Sequence, residues 1–103
     1  MNFCSEHNFV IMKKLGKDID VVCVFYHGKV PEPRKFKIKY KNGTVKTVDV
    51  DIIRRSEILK PNNLTNLDKV LYVCQSEIEE ILIQYELMYY VKDMRWELYS
   101  VAQ

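Results

Sequence analysis

The stretch Lys35-Phe36-Lys37-Ile38-Lys39-Tyr40-Lys41 constrains this chain more than any other. Lysines alternate with Phe36, Ile38 and Tyr40 in strict period two. That pattern marks a strand with one face in water and the other against a core. Asn42-Gly43 follows at once and is the strongest short hairpin signal. The return strand runs from Thr44 to about Ile53. A two-residue turn would pair Tyr40 with Val45 and Ile38 with Thr47, leaving Val48, Val50 and Ile52 on the face opposite Val45. The pattern therefore predicts either a bulge near Lys46–Thr47 or a strand covered on both faces.

Further strands follow from the same reasoning. Residues 21–26 are a continuous β-rich run ended by His27-Gly28, and the continuity suggests burial on both faces. Val30-Pro31-Glu32-Pro33 is a turn or a stiff extended lead-in, because proline removes donors and restrains the preceding residue. Ser56 to Asp68 contains Pro61, Asn62, Asn63 and Asn66 and reads as a loop. Val70 to Cys74 is a second continuous apolar strand.

Residues 76–91 admit two readings. Ser76 with Glu79 makes a capping box that would open a helix with Ile78, Ile81, Leu82, Tyr85 and Tyr89 on one face. The alternative is a turn near Ser76–Glu80, then a strand with Ile83, Tyr85, Leu87, Tyr89 and Val91 on one face. Tyrosines and β-branched residues favour the strand. Lys92-Asp93 turns the chain into 94–101, where Met94, Trp96 and Leu98 alternate with Arg95, Glu97 and Tyr99.

These elements predict an all-β fold of about six short strands. The expected form is a small single-domain antiparallel barrel, SH3-like or similar, spanning 18–103. Residues 1–17 differ in character. Ser5 would cap a short N-terminal helix with Phe9, Met12 and Leu15 on one face, ending at Lys13, Lys14 and Gly16; the alternative is a loose tail. Met12 is also a plausible start, since the chain from there opens straight into the first strand.

Composition narrows the functional classes. The chain has 103 residues, 48% hydrophobic and 29% charged, which suits one folded domain and argues against disorder. No apolar run approaches a membrane span, and no basic-then-apolar leader opens the chain. Without a GxGxxG or a GxxxxGK[ST], the common nucleotide loops are absent. Cys4, Cys23 and Cys74 are an odd set without a CxxC, so reduced thiols in a cytoplasm are expected. Charge is uneven: residues 29–60 carry ten bases and four acids, residues 61–103 three bases and seven acids.

The strings VVCVFYHGKVPEPRKFKIKY, VDVDII, LYVCQS, YELMYY and RWELYSV resemble a family of small uncharacterised all-β proteins from Gram-positive anaerobes. The likeness covers roughly 20–101. It implies a hairpin at Ile78–Glu80, and with it the strand reading of the following residues. It implies no activity and no catalytic residue.

Four chemistries have candidate residues. Cys4-x2-His7 and Cys23-x3-His27 are zinc-type ligands, but in an extended strand Cys23 and His27 lie ~13 Å apart. Asp49 and Asp51 share a strand face, as paired carboxylates would, though acid–base work also needs a desolvating pocket. Arg34, Lys35, Lys37, Lys39, Lys41 and Lys46 could track a nucleic-acid backbone. Tyr90, Tyr99 or an unpaired strand edge could carry a protein interface. The expectation is a cytoplasmic, non-enzymatic binding or accessory module without cofactor or metal. Its partner would be another protein or a second copy of itself, with nucleic-acid binding through Lys35–Lys41 as the alternative.

Overall fold

The computed structural model describes residues 11–102, and among them every regular element is a strand. They are β1 (Met12–Ile19), β2 (Val21–Val24), β3 (Glu32–Lys39), β4 (Val45–Asp49), β5 (Asp51–Lys60), β6 (Asn63–Ile78), β7 (Ile81–Tyr90) and β8 (Arg95–Ala102). Two antiparallel sheets result, one ordered β1-β8-β7-β6-β5 and the other β2-β3-β4. Only Asp20 separates β1 from β2, and only Val50 separates β4 from β5. At each of these corners one run of chain leaves one sheet for the other, as in orthogonal sheet packings. The Val50 corner divides one expected strand into β4 and β5, and β1 is added where a helix or tail was expected, so six expected strands become eight. Among the described residues the hydrogen bonding forms two sheets, and no closed barrel ladder is found.

The β3–β4 hairpin resolves the register problem. Tyr40 N–H donates to the Thr44 carbonyl (2.8 Å), and Gly43 N–H donates to the Tyr40 carbonyl (3.0 Å). The loop is therefore three residues, Lys41-Asn42-Gly43, with Gly43 in the left-handed region at φ +90°. This is a turn followed by a glycine bulge, not a two-residue turn. The extra residue slips the register by one, and a slip of one exchanges the two faces. Val48 now lies opposite Phe36 and Lys46 opposite Ile38, with no bulge at Lys46–Thr47. A Cβ at Gly43 would meet nothing within 4 Å. The cost of a side chain there is backbone strain alone, so Gly43→Val should lose about 1–2 kcal/mol. A thermal melt should fall by roughly 5–15 °C.

Three other expectations need correction. The N-terminal helix is replaced, over its described part, by β1. Lys13 and Lys14 pair with Val101 and Ser100, and Gly16 (φ +62°) sits in a bulge between Lys14 and Lys17. The gain from pairing with β8 outweighs the weak local preference of a short helix. Ser5 and Phe9 lie outside the described residues, and β1 runs across the expected boundary at 17/18. The Ser56–Asp68 loop is in fact a hairpin: β5 and β6 pair out to Lys60–Asn63, and only Pro61-Asn62 form the turn. Residues 21–26 are not buried on both faces. Val22, Phe25 and Tyr26 are exposed, because β2 is an edge strand covered on one side only.

The strand reading of 76–91 holds, with Ile78 paired to Ile81 across Glu79-Glu80. Both glutamates have positive φ, 53° and 65°. The turn thus has the primed shape that suits strand twist but lacks the residues that usually signal it.

The core lies between the sheets. Phe36 and Val48 from the small sheet meet Val70, Tyr72, Cys74, Tyr85, Leu87, Tyr89 and Trp96 from the large one. Phe36 and Tyr85 stand edge to face at 5.6 Å. Among the described residues the buried hydroxyls all have hydrogen-bond partners. Tyr72 donates to the Pro31 carbonyl. Ser76 Oγ donates to the Asp49 carbonyl (2.5 Å), so the Tyr85 hydroxyl donates its proton to Ser76 Oγ (2.7 Å). This relay fastens the Val50 corner to the middle of the large sheet.

Candidate functional site

A concave surface lies beside the lysine strand, and the ladder explains it. In an antiparallel pair, successive residues point their main-chain groups to alternate sides. The bonds of Tyr40 to Thr44 and of Val50 N–H to the Arg34 carbonyl (2.9 Å) turn the even-numbered residues of β3 toward β4. The odd-numbered ones face the opposite edge. There β2 pairs with Glu32, Pro33, Lys35 and Phe36, and the ladder ends at Val21–Phe36. Beyond it the chain turns at Asp20 and departs to β8, with Ile19 opposite Trp96. Val21 opposite Phe36 sets Asp20 opposite Lys37, so Lys39 is the residue that presents its amide and carbonyl to a gap. The far wall of the gap is β1, itself the terminal strand of the large sheet.

The gap is a cleft of about 590 Å³. Ile19, Val21, Phe36, Ile38 and Leu98 supply its apolar lining; Lys17, Lys37, Lys39, Asp18 and Asp20 stand around it. Its size is that of an ordinary ligand cleft. Asp18 is engaged by Arg95 (2.8 Å). Among the described residues, Lys17, Lys37 and Lys39 form no ion pair. A second cavity of about 500 Å³ lies across the same corner, against Cys23, Phe25, Tyr89, Arg95 and Trp96.

The six expected phosphate contacts separate into two groups. Lys37 and Lys39 stand exposed on β3, with Lys41 exposed in the turn. The other three have acidic partners: Arg34 with Glu32 (3.3 Å), Lys35 with Asp49 (3.4 Å) and Lys46 with Glu79 (3.3 Å). Arg34 also donates to the Tyr26 hydroxyl (2.6 Å). The register slip carries Lys46 to the face opposite the lysine row. Tyr90 and Tyr99 are each half-buried beneath a cation. Arg95 lies 4.1 Å from the Tyr90 ring, and Lys14 lies 5.1 Å from the Tyr99 ring. The Tyr90 hydroxyl donates to Glu97 (2.9 Å).

The remaining candidates stay apart. Among the described residues no three His, Cys, Asp or Glu side chains gather as metal ligands would. Cys23 is in β2, His27 is exposed in the turn after it, and Cys4 and His7 lie outside the described residues. Asp49 and Asp51 flank the Val50 corner, exposed, with Lys35 and Gln75 as respective partners. Burial pushes the Cys74 thiol up to about 12, helped by the charges of Asp51 and Glu86. A thiol so held is inert. At pH 8 a disulfide reagent should leave Cys74 unmodified until denaturant is added; peptide mapping after labelling reads this directly, and prompt labelling of Cys74 in the folded chain would contradict it.

Sequence reading missed Lys17 and the cleft itself. Lys17 falls in the segment expected to be a helix or tail. Nothing local marks Asp20 as the place where the chain changes sheets.

The described residues thus define an all-β domain of two antiparallel sheets joined at two corners, with a basic-rimmed cleft at one of them. Neither family models, curated proteins nor solved structures gave a match to the chain. Among the described residues no helix is long and apolar enough to cross a membrane.

Proposed function

We propose that this chain is a non-enzymatic binding module whose partner is another protein, taken up at the edge of β3. The carrying observation is the end of the β2–β3 ladder at Val21–Phe36, with Asp20 next in register, which leaves the Lys39 main-chain groups facing a cleft with an apolar lining. Strand edges of this kind gain a partner through main-chain hydrogen bonds, and neighbouring pockets select its side chains. The corners at Asp20 and Val50 support reading the two sheets as halves of an SH3-like small barrel that is open here. The pairing of Arg34, Lys35 and Lys46 with acids weakens the nucleic-acid alternative, since three of six expected phosphate contacts are already neutralised. Tyr90 and Tyr99, with rings covered by Arg95 and Lys14, are less suited to anchoring a partner than the cleft is.

The test is a peptide-display selection on the immobilised protein, with recovered peptides titrated against wild type and Lys39→Pro. Lys39 directs its amide away from β4, so proline there removes an edge donor and spares the β3–β4 ladder. Peptides that bind wild type and lose affinity for Lys39→Pro support the reading. Failure to enrich any peptide, or equal binding to both proteins, refutes it. Anisotropy titration of a labelled single-stranded oligonucleotide at ~50 and ~200 mM salt runs beside it. Tight binding that collapses between those salts would move the assignment to a nucleic-acid backbone.

A further inference from the structure

We infer that the cleft between β1 and β3 takes an extended peptide in which acidic and apolar residues alternate, added as a strand to β3. This rests on the protein-binding reading above and specifies its partner. The alternation follows from β3 itself. Lys37 and Lys39 are exposed, while Phe36 and Ile38 turn inward. Residues directly opposite one another on paired strands share a face. Val21 opposite Phe36 puts Asp20 opposite Lys37, so a strand laid along this edge begins beyond it and sets one residue inward opposite Ile38 and the next outward opposite Lys39. The outward position suits Glu or Asp, because Lys39 is unpaired among the described residues and Lys17 adds a second cation from the other wall. The inward position suits Val, Ile or Leu, which would meet Phe36, Ile38 and Leu98.

The geometry also sets length. The open edge is Ile38 and Lys39, about 7 Å at the usual strand rise, so the contact is made by about two or three residues of the peptide. Continued at its own register, the β2–β3 ladder would set Ile19 opposite Ile38. Because the chain has already turned at Asp20, the peptide takes the place that Ile19 would have held, and the acid that follows stands opposite Lys39.

The probe is a fluorescein-labelled Glu-Val-Glu-Val-Glu-Val-Glu peptide, read by anisotropy against the full chain. The expected result is saturable binding that weakens moderately between ~50 and ~200 mM salt. Replacing every Val by Ser, or every Glu by Lys, should weaken it at least tenfold. Lys39→Pro should weaken it about tenfold, the effect of losing one main-chain hydrogen bond. Lys37→Gln with Lys39→Gln should weaken binding and flatten its salt dependence. If Lys39→Pro does not fold, a peptide N-methylated at each Glu gives the same test against wild type and should not bind.

Equal binding of the Ser peptide or of the N-methylated peptide would overturn the inference, since charge alone would then suffice. So would a dimer that Lys39→Pro dissociates, because a second copy would then occupy the edge. If the probe fails while display-selected peptides bind in a manner sensitive to Lys39→Pro, the alternating-acid partner is wrong and the binding-module reading stands. If both fail, both are wrong.

Discussion

Replacing Trp96 by alanine should cost about 3–5 kcal/mol and lower the melting temperature by roughly 15–30 °C. Trp96 is 6% exposed and packs at 5.4 Å from the Tyr72 ring and 4.8 Å from the Tyr89 ring. It pairs with Ile19 on one side and Tyr89 on the other, so it couples β1 and β7 through β8. Alanine takes Trp96 from both tyrosine rings, leaving Tyr89 with Phe25 at 6.4 Å, and opens a void that the sheets close only in part. A small domain holds only about 5–15 kcal/mol in total, so such a variant is close to unfolding at ambient temperature. Far-UV circular dichroism melts of wild type, Trp96→Ala and Trp96→Phe provide the check. Phenylalanine should recover more than half of the loss. A fall below ~5 °C for the alanine variant would mean the core does not depend on this cluster.

Alkali should unfold the domain well before a protein with exposed phenols would unfold. Burial raises the ionisation of Tyr72 and Tyr85 far above the ordinary phenol value, and raises Cys74 to about 12. In each case the folded state holds the proton more tightly than the unfolded chain does. Stability from these groups is therefore complete below the unfolded pKa, near 9 for the thiol and 10 for the phenols. It is lost as pH climbs from there toward the folded values. Each group contributes a slope of about 1.4 kcal/mol per pH unit in that window. Between pH 9 and 11 the three together should remove on the order of 4–5 kcal/mol. Urea denaturation at half-unit steps, followed by Trp96 fluorescence, measures it. In Cys74→Ala the decline should begin near pH 10 instead of pH 9. Unchanged stability up to pH 11 would show that the three groups ionise without unfolding.

Much of the strand framework was legible because period-two alternation is a local consequence of the pleat. Phe36 and Ile38 could be set against Lys37 and Lys39 from spacing alone, as could Tyr85, Leu87 and Tyr89 against Glu86. The turn at Glu79-Glu80 was harder, since glutamate does not advertise a positive φ and Ser76 imitates a helix cap. The cleft was not legible at all. Its walls come from residues 17–20 and 36–39, and its depth from Leu98. They meet only because β1 pairs with β8 while β2 pairs with β3.

By itself the sequence determined that the chain is built of antiparallel strands, which side chains of β3 face water, and that Lys35–Lys41 ends in a tight hairpin. Each of these depends on neighbours a few residues apart. Tertiary structure alone decided the rest. A three-residue loop in place of a two-residue one turned Val48 inward and Lys46 across the sheet, because one residue of slip exchanges every face. Two single-residue corners divided the strands between two sheets. The departure of β1 at Asp20 left Lys39 with open main-chain groups, a vacancy fixed by which strands pair and not by any residue in the lysine strand.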